Sequence, residues 1–525
     1  MKGTFPGMET FQTDCLVIGA GLAGSAYALH AAGAGLRVEL LSAADPLAAN
    51  SDLAQGGIVY DTSPDPGALA RDIFDASDRT ANPAAVEQLV REGPAAVREL
   101  LLDELKVGFD RDASGALSFT REAGHGRKRI IYAKDSTGHA ILSAAERRVD
   151  ATPLITRRAG WVAIDLLTLS HNSDDPADKY EPLTCFGAYV LDTATGAILA
   201  VTAKRTVLAT GGLGRIFLHT TNIPGSVGHG VAMAYRVGGR VIDLEYVQFH
   251  PTVFARKNAP RFLISEALRG EGAVLVNARG ERFMEAADPR GSLAPRDVVA
   301  RAIQHELAAS GEPCVYLDLS AMPAGFPRER FPGIYERCLE NGVDISREPI
   351  PVVPAAHFAC GGVHADLEGH TNIRRLSAIG EAACTGLHGA NRLASTSLLE
   401  CLTSAKFAVR ADAAEIRSGE FRSPAPRPWE GPTREADPTL IRQDMLQIQS
   451  TMWNYAGVVR SPRRLTRARR ILVELREEIQ SFYRGCRLTS ELIELRNAVQ
   501  TALLVVHAAA LNPRSRGCHH VVEET

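Results

Sequence analysis

Three glycines carry the first chemistry legible in this chain. In GAGLAG, Gly19, Gly21 and Gly24 stand at the spacing that brings a dinucleotide against main chain. Gly19 permits a tight turn, Gly21 lets backbone approach a pyrophosphate, and Gly24 lets the following helix lie close on the strand. That helix then points its N-terminal N–H groups at the phosphates. NAD and FAD both stay open here, because the second strand runs into Ser42, Ala43 and Ala44 where an acid would grip an adenosine ribose. Further along stand residue types suited to binding anions and moving protons. These are His250, Ser265, Arg296, His357 and Arg392, with Glu266 and Arg269 three apart and on one face if that segment is helical. Alone, such residues have plainer readings: a hydrogen-bonded core histidine, half of a structural ion pair, a helix salt bridge.

The elements that position these residues are readable in part. Residues 15–42 read as a buried strand, the glycine turn, an Ala-rich helix and a second strand, which is a βαβ unit. RTVLATGG (205–212) reads as a later strand of the same sheet, and residues 84–104 as a helix. SHNSDDPADKYEP (170–182) is polar and turn-rich, as in a surface loop. From about 244 to 357 the texture is mixed α and β, as in an inserted domain. RSPAPRPWEGPTREADP (422–438) has the prolines of a linker. Beyond it Leu472, Leu475, Ile479 and Phe482 follow a spacing that puts one apolar stripe on a helix.

Composition bounds the function. With 525 residues, 45% of them hydrophobic and 23% charged, the chain is an ordinary globular one, with length for about three domains at roughly 150 residues each. A net charge of −3 provides no overall field for nucleic acid or an anionic membrane. RSPRRLTRARR (460–470) lacks interleaved aromatics and reads as a solvated helix. The apolar run 501–511 is too short to cross a bilayer, and MKGTFPGMETFQTD has no apolar h-region, so neither a membrane span nor a signal peptide is expected. Nine cysteines without a CxxC predict reduced thiols, a cytoplasmic setting and no zinc or iron–sulphur framework. No metal site is expected from CHH (518–520), nor from His357, His364 and His370.

Seven motifs occur in order: NSDLAQGGI (50–58), LATGG (208–212), QFHPT (248–252), SEALRGEGAVLVNARGERFM (265–284), LAPRDVVARAI (293–303), HFACGGV (357–363) and TGLHGANRLASTSLLECL (385–402). Over residues 13–517 the chain resembles the succinate dehydrogenase/fumarate reductase flavoprotein superfamily, and within it the L-aspartate oxidase branch. The resemblance implies an α/β fold: a Rossmann-like FAD-binding domain (1–243 and 358–422), an inserted α+β capping domain (244–357), and a linker with a C-terminal helical bundle (423–525). It implies FAD contacts along Gly19, Ala20, Gly21, Leu22, Ala23 and Gly24. Further contacts are expected at Ser42 and along Asn50, Ser51, Asp52, Leu53, Ala54, Gln55, Gly56 and Gly57, then at His229, Glu381, Ser397 and Leu398. Where the succinate dehydrogenase branch attaches flavin through a histidine, this chain has Asn50, so the FAD is expected to be non-covalent.

The resemblance also assigns the anion-binding residues. It implies that His250, Ser265, His357 and Arg392 hold the two carboxylates of a four-carbon acid, with Arg296 beside the reacting carbons. A dianion entering a dry pocket needs such fixed cations and donors. An arginine acting as an acid needs a relay, which the resemblance places at Glu266 and Arg269. Glu122, in REAGHGRKRI (121–130), stands where aspartate oxidases carry a carboxylate for the substrate ammonium. The implied reaction takes L-aspartate to iminoaspartate, with oxygen giving hydrogen peroxide or fumarate giving succinate. This is the first step of de novo NAD synthesis, with quinolinate synthase consuming the product.

Three positions depart from the family pattern. Ala43 falls where a lysine is common, His229 where an aspartate contacts FAD, and Ser265 where a threonine is common. The first two predict weaker FAD retention. Two rival readings follow: a soluble fumarate reductase or succinate dehydrogenase flavoprotein, weakened by Asn50 and Glu122, and a degenerate non-catalytic flavoprotein, opposed by the retained arginines and histidines.

Overall fold

Successive residues of the strand Met8–Ile18 serve opposite faces of a sheet, as the period of two requires. Cys15 and Val17 join one hydrophobic core, Leu16 and Ile18 another. The computed structural model describes residues 2–5, 8–45, 47–63, 65, 67–122, 124–257, 259–323 and 325–523. Ala123 of the 121–130 segment, Met1, Pro6 and Gly7 of the N-terminal segment, and Glu524 and Thr525 lie outside these residues.

The fold is α/β. The largest sheet runs Ile155–Ala159, Val38–Ser42, Met8–Ile18, Ile198–Leu208, Cys185–Asp192, Trp161–Thr168. Met8–Ile18 pairs in parallel with both Val38–Ser42 and Ile198–Leu208, so the late strand that carries LATGG lies directly beside the strand that carries GAGLAG. Leu376–Ala378 also pairs in parallel with Ile198–Leu208, and brings the chain back to this sheet after a long excursion. One face is covered by the helices Leu22–Gly33, Pro83–Ala96 and Ser397–Ser418.

The excursion builds a separate four-stranded antiparallel sheet in the order Val247–Phe254, Ile350–Ala359, Val315–Asp318, Val274–Val276. Phe254, Leu275, Leu317 and Val352 form its own core with Val299 and Ile303 of the helix Arg296–Ser310. Three C-terminal helices, Pro438–Ala456, Pro462–Gly485 and Ser490–Leu511, start at residues that accept a backbone N–H on a side-chain oxygen: Asp437, Ser461 and Thr489. Leu472, Leu475 and Ile479 are buried in the core on the other face of the large sheet, and Phe482 packs against it.

Two segments are more ordered than their composition suggests. Residues 170–182 contain the end of a helical turn, Leu169–Asn172, and a 3-10 turn, Pro176–Lys179, and Asp178 is buried against Arg422. Residues 419–437 have no regular structure, yet Trp429 packs edge-on against Tyr189 at 5.2 Å between ring centroids. Among the described residues no helix is long and apolar enough to cross a membrane.

Candidate active site

The strand Val247–Phe254 is irregular where it carries chemistry: its register against Ile350–Ala359 shifts between Gln248 and Phe249 and again between His250 and Val253. Such bulges re-aim side chains. His250 and His357, from these two neighbouring strands, meet edge to face with ring centroids 5.3 Å apart. His250 Nδ1 lies 3.2 Å from both the N–H and the carbonyl oxygen of Thr252, which anchor the ring. Its Nε2 is buried and meets no partner among the described residues, which leaves that ring nitrogen for a guest. Thr221 Oγ1 lies 2.8 Å from His357 Nδ1. Burial, reinforced by the arginines around them, holds both imidazoles well below their ordinary range, so they are neutral rings and not cations.

The positive charge comes from arginines. Arg296, the first residue of its helix, places Nε 2.7 Å from Glu266 Oε2, while Arg269 Nη2 lies 2.7 Å from Glu266 Oε1. Glu266 thus joins two guanidiniums, and although burial opposes it, Arg296 and Arg269 hold its carboxyl below the usual range. Gln248 Oε1 accepts from Arg296 Nη1 at 3.2 Å and from Arg392 Nη2 at 3.1 Å. Arg392 lies over the Phe358 ring at 4.4 Å and has no carboxylate in contact among the described residues; burial lowers it to about 10, so it stays charged. Glu122 faces this group of cations, and Ser395 Oγ donates to its Oε2 at 2.6 Å.

One cavity of about 160 Å³ collects Glu122, His250, Ser265, Glu266, Arg296, His357 and Arg392. Leu53, Ala54, Gln55, Gly56, Gly57, Ser397 and Leu398 line it as well. A second cavity of about 390 Å³ follows the glycine turn, lined by Gly19, Ala20, Gly21, Leu22, Ala23, Ser42 and His229. Asn50, Ser51, Glu381 and Cys401 line both, so the two spaces meet. Three expected site residues line neither cavity. Asp52 turns to His139 at 2.9 Å and lines neither cavity, and Arg269 sits behind Glu266 with its Nη1 on Ser292 O at 2.6 Å. Gly24 is covered because a Cβ there would stand 1.9 Å from Gly19 O.

Comparison with known proteins identifies the lineage. The FAD binding domain family matches residues 14–398, and the fumarate reductase flavoprotein C-terminal family matches residues 445–524. An L-aspartate oxidase of Ralstonia nicotianae is 44% identical over 511 residues, covering 96% of this chain and 94% of that protein. One of Halobacterium salinarum is 44% identical over 98% of this chain and 97% of that protein. The chain belongs to the L-aspartate oxidase family. The Escherichia coli quinol fumarate reductase has the same fold as this L-aspartate oxidase family member, with a TM-score of 0.87 at 27% identity over 98% of this chain and 92% of that one.

FAD is the cofactor of this L-aspartate oxidase family member, and the glycine turn fits it. The helix Leu22–Gly33 has no side-chain cap from Gly21; Leu22 N–H donates to Ser51 Oγ at 3.3 Å, and the N–H groups of Ala23 and Gly24 that follow it are left for phosphate. Gly19 takes a left-handed φ of +112°, where a Cβ would meet Ala209 O at 2.3 Å. At Gly21 a Cβ would meet only Ser51 Oγ, at 3.6 Å, and would otherwise project into the open cavity. Asn50 is fixed by Ser226 Oγ at 3.0 Å and Ile223 N at 2.9 Å. His229 accepts from Asn497 Nδ2 at 2.8 Å on Nδ1, and burial lowers it to about 4, so it is neutral.

Sequence reasoning missed several residues that shape this L-aspartate oxidase family site. Gln248 and Ser395 lie inside the motifs at 248–252 and 385–402, as residue types with no charge to mark them. Thr221, Arg261 and Arg337, all on the smaller cavity, carried no local signal. The only group among the described residues with metal-ligand geometry, His370, Asp412 and Glu415, is held by Arg205, whose Nε lies 2.9 Å from Asp412 Oδ1.

Proposed function

We propose that this protein oxidises L-aspartate to iminoaspartate, passing the electrons to oxygen, which gives hydrogen peroxide, or to fumarate, which gives succinate. In this reading it performs the first step of de novo NAD biosynthesis in the cytoplasm and hands its unstable product to quinolinate synthase. The observation that carries the reading is one cavity holding Arg296, Arg392, His250 and His357 together with Glu122, next to the cavity of the glycine turn.

Aspartate brings two carboxylates and an ammonium. Arg392 and His357 receive one carboxylate, and His250 with Ser265 the other; Arg392, His250 and Ser265 are already buried and so meet it desolvated. Glu122 pairs with the ammonium by charge as well as hydrogen bonding. FAD, held without a covalent link because Asn50 offers no nucleophile, supplies the two-electron acceptor when bound. Arg296 lies beside the reacting carbons, and Glu266 and Arg269 replace the proton it gives up in fumarate reduction. Glu122 and Arg296 lean against Gly56 and Gln248, which fixes their direction without further cations.

The test uses purified yellow protein without oxygen. Aspartate bleaches the flavin absorbance, succinate does not, and admitted air then yields peroxide. Bleaching by succinate alone would make the chain a fumarate reductase or succinate dehydrogenase flavoprotein, and bleaching by neither would deny it catalysis.

A further inference from the structure

The substrate cavity has two more arginines that the reading above leaves unused. Arg261 and Arg337 line it, both half-buried where His250 and Arg392 are buried, so they stand toward its solvent side. They are held by one aromatic pair: Phe254 and Phe262 stack at 4.6 Å, Arg261 Nη1 donates to Phe254 O at 3.0 Å, and Arg337 lies 4.4 Å over the Phe262 ring. Among the described residues neither guanidinium is in an ion pair, and Glu340 is the one carboxylate acting on Arg337 through space. Arginine keeps its proton in such surroundings. Two positive charges with no ion-pair partner among the described residues therefore face the same cavity outside the inner set, in which Glu266 bridges Arg296 and Arg269.

We propose that Arg261 and Arg337 form an outer anion-binding station, which takes the carboxylates of four-carbon dianions before they reach Arg296 and Arg392. The inference rests on the reading of the cavity as a dicarboxylate site. An exposed pair of cations attracts in proportion to the net charge of the ligand. Fumarate and succinate carry two negative charges, whereas aspartate carries two with one ammonium against them. The station therefore favours fumarate and succinate over aspartate. Glu122, deeper in the cavity, sets the opposite preference through the ammonium, so entry and chemistry select differently.

The test compares the FAD-loaded protein with Arg261→Gln, Arg337→Gln and the double variant. Succinate binding, read from the perturbed flavin spectrum, and kcat/KM for fumarate and for aspartate are measured at low and high salt. The double variant is expected to bind succinate about tenfold more weakly and to lose about tenfold in kcat/KM for fumarate but only about threefold for aspartate, with a flatter salt dependence. Arg337→Lys, which keeps the charge, retains the parent preference. An unchanged ratio of fumarate to aspartate and unchanged succinate binding would overturn the station, as would equal losses in the Lys and Gln variants. If aspartate fails to reduce the parent protein, the functional reading falls, while succinate binding still decides on the station.

Discussion

Ser395 donates to Glu122 Oε2 across 2.6 Å, and does so from a left-handed backbone with φ of +59°. A serine in that region costs on the order of 1 kcal/mol and persists where surrounding structure demands it. On the other side Gly56 leaves the room: a Cβ there would stand 2.0 Å from Glu122 Oε1. The carboxylate is therefore clamped, and 8% exposure keeps it out of bulk water. Ser395→Ala removes the donor while leaving the charge, and kcat/KM for aspartate is expected to fall about fivefold, the value of roughly 1 kcal/mol of hydrogen bonding. Steady-state kinetics with aspartate checks this, and an unaltered value would detach Ser395 from substrate recognition.

Gln248 ties the two halves of the anion site. Its Oε1 serves Arg296 and Arg392, and its Nε2 donates to Asn391 Oδ1 at 2.6 Å and Arg392 O at 2.9 Å. Gln248→Leu strands these groups in the interior, where each unmet partner costs about 1–3 kcal/mol. A lower melting temperature and a KM for aspartate raised about tenfold are expected from thermal melts and kinetics. A raised KM without loss of stability would mean that the arginines find other partners.

Glu381 lines both cavities, and burial pushes its carboxyl up to about 7, against the pull of the Ala359 N–H at 2.9 Å. A raised folded-state pKa means that its contribution to stability is complete below the unfolded-state value and is lost as pH rises through about 7. Glu381→Gln keeps the acceptor for Ala359 and removes the titration. The FAD-free variant should melt above the parent at pH 8 and with it at pH 4, read by thermal denaturation at both. Equal shifts at both values would remove the charge from the explanation.

The arrangement was legible in the sequence wherever function sits in short motifs. The glycine turn, the late LATGG strand beside it, and the arginines and histidines of the anion site stand in contiguous words. What stayed hidden depends on tertiary contact. Glu122 and Ser395 lie 273 residues apart, and nothing local announces a left-handed serine. The neutrality of His250 and His357 follows from burial among arginines, which no spacing encodes. Asp52 sits in a cofactor-lining stretch, yet its side chain points to His139 because successive i to i+3 turns over residues 49–54 rotate each side chain away from the last.

His229 was expected to weaken FAD retention, and the structure adds the reason for its posture. Arg236 Nη1 donates to Asn497 Oδ1 at 2.7 Å, which turns the Asn497 amide nitrogen toward His229. The C-terminal helix Ser490–Leu511 thereby fixes a neutral ring at the cofactor cavity. His229→Asp and Ala43→Lys are each expected to slow FAD release severalfold by adding a charged partner for the cofactor, measured as flavin fluorescence regained on dilution. If neither slows it, these two departures do not govern retention.

One carboxylate, Glu122, distinguishes an amino acid from its deaminated analogue, and Glu122→Gln addresses it directly. Replacing a buried charge partner costs on the order of 3 kcal/mol, about a hundredfold, for a ligand that needs it. The variant should lose about that much in kcat/KM for aspartate while its fumarate reduction with a reduced dye changes by less than about threefold. Equal losses of both activities would contradict the account.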